Sequence, residues 1–536
     1  MLPHNFPRAI YLSVLALLLA WANVSANYAA PPKVDILLEN GTIIDGSGGE
    51  PAAGSVAIDD GHIVAVGKLE GITADKTIDC QGLVIAPGFI DIHNHSDDEI
   101  LTEKNQSALC YLTQGCTTLV TGNCGGGRGN IGKYYDDVAK AHVGINIAHL
   151  VPQGEVRDKV MGKVRREPTA EEVKKMQDLV DVGMQEGAWG MSTGLQYVPG
   201  SFAKTDELIA LASVAGKRGG IYASHVRDEG DELIESIQEV IDIARGGKLP
   251  CHVSHLKASK KPNWGKVHAA AHLIEEAQHE GLKITADQYP YIASSTSIMA
   301  FLLPDSEREG GERETAKRLQ DPEQLKRLRP IIAKSLDARG RIMVADSDKK
   351  PKYVGKLISD IAAEEKREPV DVAIEILRDD PGASGVNFGM DEADVRYVMT
   401  LPWVATASDG STKTDDGTRP HPRSFGTFSR KIGRYAIQDK VLPLTAAIRS
   451  ATGLPADIIG LKDRGYLREK LVADLVVLDP KAFEDHATFE KPFEPSTGVK
   501  WLLVNGKIAI DDGKPADLHA GLPLRKPTDG ASSPAK

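Results

Sequence analysis

Cysteine is scarce in this chain. There are five in 536 residues, at Cys80, Cys110, Cys116, Cys124 and Cys251. An odd count without paired spacing excludes a disulfide framework and leaves at least one thiol free. Basic clusters are missing too. The 64 Lys and Arg are dispersed and outnumbered by 75 Asp and Glu, for a net charge of -11. That excludes a surface built for nucleic acid or an anionic membrane. No segment after residue 21 is long and apolar enough to span a bilayer, so stable membrane association is not expected. There is no internal repeat and no long low-complexity tract. A Gly-x-Gly-x-x-Gly after the first strand of the α/β region is also absent, which disfavours an open dinucleotide-binding sheet. What is present is ordinary globular composition, with 41% hydrophobic and 26% charged residues. The length calls for about two or three domains.

Residues 1–26 read as an export signal. Arg8 supplies positive charge, Ile10 to Trp21 form a short apolar core, and Val24-Ser25-Ala26 offers a small-x-small cleavage site. No Cys follows that site, so no lipid anchor is expected. The mature protein is predicted to be soluble and exported, either periplasmic or extracellular.

Residues 33–86 read as short strands, with turn signals at Asn40-Gly41 and Asp60-Gly61. So few strands close a core with difficulty. Their expected partner is residues 457–523, where Ala473–Asp479 and Val499–Gly506 are strand-like. The two ends are predicted to share one β-sandwich domain, followed by a disordered tail over 524–536. Between residues 87 and 456, strand-like runs alternate with helical stretches such as 170–186, 231–245 and 266–280. That alternation predicts an α/β fold, a (β/α)8 barrel of the TIM type. A charge-rich stretch at about 305–385 breaks the rhythm and is predicted to be a mostly helical insertion.

The run Pro87-Gly88-Phe89-Ile90-Asp91-Ile92-His93-Asn94-His95 organises the rest. A short strand carries His93 and His95 at its end, and side chains at i and i+2 share one face. Other metal-ligand residue types fall at the ends of further predicted strands. Cys124 follows Val120-Thr121-Gly122-Asn123, His225 follows Tyr222-Ala223-Ser224, His255 follows Val253-Ser254, and Asp409 follows Ala407-Ser408. A parallel barrel builds its site at those ends. Thiolate with imidazole suits Zn2+ better than Mg2+ or Ca2+. His252, three residues before His255, is assigned to packing, as are Cys80, Cys110, Cys116 and Cys251.

These motifs, with Ser192–Tyr197, Ser224–Arg227, Val253–Lys257, Asp287–Tyr291, Ser408–Gly410 and Arg419–Arg423, resemble those of the amidohydrolase superfamily. Within it they resemble the D-aminoacylase (N-acyl-D-amino-acid deacylase) family. The resemblance implies one tightly bound zinc on Cys124, His225 and His255, with His93, His95 and Asp409 lining a second, weaker position. It implies hydrolysis of the amide bond of N-acyl-D-amino acids by metal-activated hydroxide, with Asp409 as general base and acid. It further implies that Tyr197 polarises the carbonyl and that Lys257, Tyr289 and Arg423 bind the carboxylate. Ser295 and Met390 fall at side-chain-pocket positions, and Met390, with few extra charges nearby, points to an apolar side chain. One departure is Gln153, which stands where many members carry His. The rivals are a dipeptidase acting on a C-terminal D-residue, a cyclic-amide hydrolase, and a catalytically silent ligand-binding barrel. The expected partner is a small N-acyl-D-amino acid or a D-terminal dipeptide. Homo-oligomerisation is left open.

Overall fold

The computed structural model describes residues 33–517 and 519–527. The export-signal reading of residues 1–26 and most of the tail reading concern residues outside these. Among the described residues no helix is long and apolar enough to cross a membrane.

The centre of the molecule is a ring of parallel strands. In chain order they are Phe89–Asp91, Cys116–Thr121, Asn146–His149 continued by Val151–Pro152, Gly190–Gly194, Ile221–His225, Cys251–Val253, Ile284–Gln288 and Val404–Thr406. Each pairs in parallel with the next. The last meets the first through a parallel bridge between Asn94 and Gly410. At that seam the Asp409 amide donates to the His93 carbonyl at 2.8 Å and the His95 amide to the Gly410 carbonyl at 2.7 Å. The strands are buried on both faces, as a barrel wrapped by helices requires. Between them run helices such as Ala170–Gln185, Leu233–Gly247 and Lys266–His279. The first of these starts at a reciprocal cap, Thr169 accepting from the Glu172 amide and Glu172 from the Thr169 amide.

The two chain ends meet in one continuous nine-stranded sheet. Val84–Pro87 pairs antiparallel with Leu475–Leu478 along its whole length. A core of Leu38, Val56, Ile63, Ile85, Leu475, Val477 and Leu503 fills one side. Asp60-Gly61 makes the expected turn, with Asp59 paired to His62. Asn40-Gly41 does not. Lys33–Ile43 is one strand, and its register shifts between Leu38 and Gly41. Asn40 sits at φ 60°, so the positive φ that a hairpin would use is spent on a bulge instead. A Cβ at Gly41 would lie 2.5 Å from Ile85 Cδ1, so the bulge brings backbone against the core.

Two boundaries differ from the sequence expectation. The insertion between the seventh and eighth barrel strands begins earlier than 305. It contains a three-stranded antiparallel sheet of Ser294–Ser297, Ser384–Asn387 and Ile342–Asp346 as well as helices. Its first strand, Ser-Ser-Thr-Ser, has no apolar alternation and so carries no strand signal in the sequence. The insertion has its own core, including Leu302, Leu319, Leu328, Ile332 and Leu336. The tail also remains ordered past residue 524. The Leu524 amide donates to the Ile147 carbonyl at 2.7 Å, Trp189 Nε1 donates to the Leu524 carbonyl at 2.7 Å, and the Lys526 amide bonds Gly187. Polar composition read as disorder here, but the barrel base supplies the missing backbone partners.

Candidate metal centre

Five strand ends bring their polar residues to one point. Donor atoms of His93, Cys124, His255 and Asp409 all lie within 4.8 Å of one another. Cys124 Sγ is 3.2 Å from His93 Nε2, 3.8 Å from His225 Nδ1 and 3.9 Å from His255 Nε2. His225 Nδ1 and His255 Nε2 are 2.8 Å apart. Asp409 Oδ1 lies 3.1 Å from His95 Nε2 and 3.4 Å from His93 Nε2. Zinc binds sulfur at about 2.3 Å and nitrogen at about 2.0–2.1 Å, so tetrahedral geometry spaces sulfur and nitrogen by about 3.6 Å. Cys124 Sγ therefore stands at ligand spacing from both imidazoles, while the two ring nitrogens, at 2.8 Å, must part by about 0.5 Å to share one tetrahedral ion.

Each imidazole is oriented from behind. His225 Nε2 donates to Gln196 Oε1 at 2.8 Å, which leaves Nδ1 free to face a metal. His255 Nδ1 faces Glu229 Oε1 at 2.8 Å, leaving Nε2. His93 Nδ1 faces Asp287 Oδ2 at 3.2 Å, again leaving Nε2. Asp287 is itself held by the His255 amide at 2.7 Å and by His252 Nε2 at 2.9 Å. His252 thus does more than pack, because it fixes the carboxylate that orients His93.

The backbone is constrained at the same points. Cys124, His255 and Asp409 take φ of 52°, 38° and 51°, a region side chains with a Cβ seldom occupy. Such conformations cluster where a side chain must be aimed. Gly194 lets the Cys124 loop close, since a Cβ there would sit 2.0 Å from the Cys124 carbonyl oxygen.

Electrostatics separate Cys124 from the other thiols. Burial pushes Cys80 and Cys110 up to about 12. Burial would raise Cys124 too, but positive charge on His93 and hydrogen bonds from His225 and His255 outweigh it and hold the thiol well below its usual range. Asp409 is likewise buried, yet Arg423, His93 and His255 hold its carboxyl well below the carboxylate range.

The centre opens into a cavity of about 1270 Å³. Tyr197, Lys257, Tyr289, Ser295 and Arg423 line it. Thr296 Oγ1 donates to Tyr197 Oη at 3.1 Å, so the Tyr197 proton stays available. Tyr289 Oη is buried with no partner, and its ring lies 5.1 Å from Arg423 Cζ and 5.5 Å from Lys257 Nζ. Lys257 pairs with Glu229. Arg423 donates to Asp409 Oδ2 at 2.6 Å and to the Ser295 carbonyl at 3.3 Å.

Other expectations need correcting. Met390 is not on the cavity wall. It packs in the core with Tyr289, Tyr291 and Val395, and its amide donates to the Ile292 carbonyl at 3.1 Å. Gln153 is fully buried beside Gly200, and His149 is buried under Tyr134, where burial lowers it to about 4. Nor is the cavity poor in charge, since Arg227, Lys260, Arg308 and Arg339 also line it. Sequence reasoning missed Gln196, Glu229 and Asp287. Asp287 stands at a strand end and so obeys the rule that found the ligands. Glu229 lies in the same loop as His225, four residues on. Nothing local marks Gln196.

The amidohydrolase family profile matches residues 76–301 and 359–510. The chain is 33% identical over 515 residues to a D-aminoacylase of Alcaligenes xylosoxydans, spanning 92% of this chain and 98% of that protein. It is equally close, at 33% over 525 residues, to an N-acyl-D-glutamate deacylase of the same organism, spanning 94% and 99%. A solved D-aminoacylase superposes with a TM-score of 0.80 at 32% identity, covering 92% of this chain and all of that one. So does an N-acyl-D-glutamate deacylase from Bordetella bronchiseptica solved with zinc and a phosphonate inhibitor, with the same TM-score, identity and coverage. A D-hydantoinase at 15% identity and a TM-score of 0.56 shares the fold.

Proposed function

Because the chain belongs to the amidohydrolase family and to its D-aminoacylase branch, we propose that this centre uses zinc to hydrolyse N-acyl-D-amino acids. It is a hydrolase of amide bonds, and the products are a free D-amino acid and a carboxylate. One observation carries the reading. A thiol held well below its usual range and three imidazoles, each oriented by its own hydrogen-bond acceptor, converge beside an ionised carboxylate on the floor of a large cavity.

Cys124, His225 and His255 would hold the tighter zinc, and His93, His95 and Asp409 would line a weaker position. Bound zinc supplies a Lewis acid that polarises a carbonyl and lowers the pKa of water to about 7. The rest falls to the protein. Asp409 accepts the proton of the attacking water and returns it to the leaving nitrogen. Tyr197, whose oxygen already accepts from Thr296, donates its own proton to the developing oxyanion. Arg423 offers a planar fork to the substrate carboxylate, and the unpartnered Tyr289 hydroxyl and the Lys257 ammonium stand beside it. With carboxylate and scissile carbonyl both held, only one enantiomer can turn its side chain towards the open wall at Ser295.

Amine release from N-acetyl-D- and N-acetyl-L-amino acids tests this reading, with D-terminal dipeptides in parallel and with and without chelator. Chelator-sensitive release from the D-series alone is the expected result. Equal release from the L-series overturns the chiral assignment. Residues 1–26 support export, and sequencing the mature amino terminus checks it; a start at Met1 contradicts it.

A further inference from the structure

The buried and half-buried basic side chains around the cavity fall into two groups. Arg227 pairs with Glu239 at 2.9 Å, Lys260 with Asp231 at 2.7 Å, Arg423 with Asp409 at 2.6 Å, and Lys257 with Glu229. Two arginines contributed by the insertion are different. Arg308 is 7% exposed. One of its terminal nitrogens donates to the Gln196 carbonyl at 2.6 Å, while its Nε is buried with no partner. Arg339 donates Nε to the Phe301 carbonyl at 2.7 Å and lies 4.8 Å from the Phe301 ring. Neither forms an ion pair among the described residues. Both line the cavity.

A guanidinium offers five donors and cannot shed its proton to escape burial. A buried charge is ordinarily paired, because desolvation costs more than one carbonyl bond restores. Burial lowers the pKa of both arginines despite nearby acids such as Asp305 and Glu229; Arg308 is the one shut from solvent without a counter-charge, and Arg339 stands half-buried on the same wall. Their position is specific. Gln196 accepts from Arg308 through its backbone and from His225 through its side chain, so Arg308 stands two hydrogen bonds from a candidate zinc ligand. The next residue is Tyr197. The substrate α-carboxylate is assigned elsewhere, to Arg423 with Tyr289 and Lys257.

We infer that Arg308 and Arg339 form a second anion subsite, and that the preferred substrates carry a carboxylate besides the one on Cα. The inference rests on the N-acyl-D-amino-acid reading of the same cavity and deepens it. The extra carboxylate could belong to the D-side chain, as in a D-glutamyl or D-aspartyl residue, or to a dicarboxylic acyl group such as succinyl. Both present the same chemistry to a guanidinium fork.

The test compares charged with isosteric neutral substrates on the zinc-loaded enzyme. N-acetyl-D-glutamate against N-acetyl-D-glutamine probes the side chain. N-succinyl-D-methionine against its terminal amide, N-succinamoyl-D-methionine, probes the acyl group. A charge-assisted pair predicts a preference of about 10- to 100-fold in kcat/KM for the acid in one arm, expressed mainly in KM. Arg308→Met is expected to collapse that acid-to-neutral ratio, and Arg308→Lys to restore part of it. Calorimetric binding of N-acetyl-D-glutamate, N-succinyl-D-methionine and their neutral counterparts gives a readout independent of turnover. Hydrolysis without acid preference in either arm overturns the subsite and leaves the enzymatic reading standing. Arg308-dependent binding of an acid with no hydrolysis of any substrate does the reverse. Should Arg308→Met fail to fold, the wild-type ratios decide the matter.

Discussion

The floor of the cavity and the wall supplied by residues 294–388 are built on opposite plans. On the floor the candidate metal-binding side chains each answer to another group. His225 has Gln196, His255 has Glu229, His93 has Asp287, and Asp409 has Arg423. Cys124, His255 and Asp409 also hold positive φ, at about 1–3 kcal/mol of backbone strain each. On the wall, a separate apolar core carries Arg308 and Arg339, which have few partners. The difference teaches a division of labour. Groups that must not move for chemistry are locked by neighbours, and groups that choose among substrates are left with donors to spare.

That contrast can be broken by experiment. Chelation, or Cys124→Ala, is expected to abolish turnover, with metal content measured by atomic absorption; full activity without metal would dissolve the floor's assigned role. Asp409→Asn should lower kcat by about 10²–10⁴-fold while the fold is retained, as followed by steady-state kinetics and circular dichroism. Near-normal turnover would remove Asp409 as the proton carrier. Gln196→Ala and Asp287→Asn should weaken metal affinity by about 10–100-fold in competition with a chromophoric chelator, because they release the orientation of His225 and His93. Arg423→Ala should raise KM by about tenfold or more, the worth of one charge-assisted bidentate contact. Leu328→Ala, inside the insertion core, should cost about 2–5 kcal/mol of insertion stability in denaturant titration. Metal stoichiometry should be the same in that variant. If metal is lost with it, floor and wall are one cooperative unit and the comparison fails.

Much of this was legible in the chain. Apolar runs marked the barrel strands, and the polar residue closing each run found His93, His95, Cys124, His225, His255 and Asp409. The rule works because a strand's direction fixes where its last side chain projects. Met390 was placed by resemblance alone, which said nothing of its burial in the core with Tyr289 and Val395. The strand signal failed elsewhere. It failed for the Ser294–Ser297 strand, which is held by backbone pairing to Ser384–Asn387 rather than by apolar alternation. It failed also at Leu524–Lys526, where the ordering partners Ile147, Gly187 and Trp189 lie more than three hundred residues away in the chain.

Composition and periodicity alone determined the alternation of strand and helix, the joining of the two chain ends, and the placing of Cys, His and Asp at the strand ends. These follow from local propensity and from the rule that apolar faces are buried. Only the folded arrangement decided which acceptor orients each imidazole, that Asp409 is met by Arg423, and that Arg308 lacks a carboxylate. Pairing and desolvation depend on distances of a few ångströms between residues far apart in the chain. No spacing along the polymer encodes such distances until the barrel closes and the insertion folds against it.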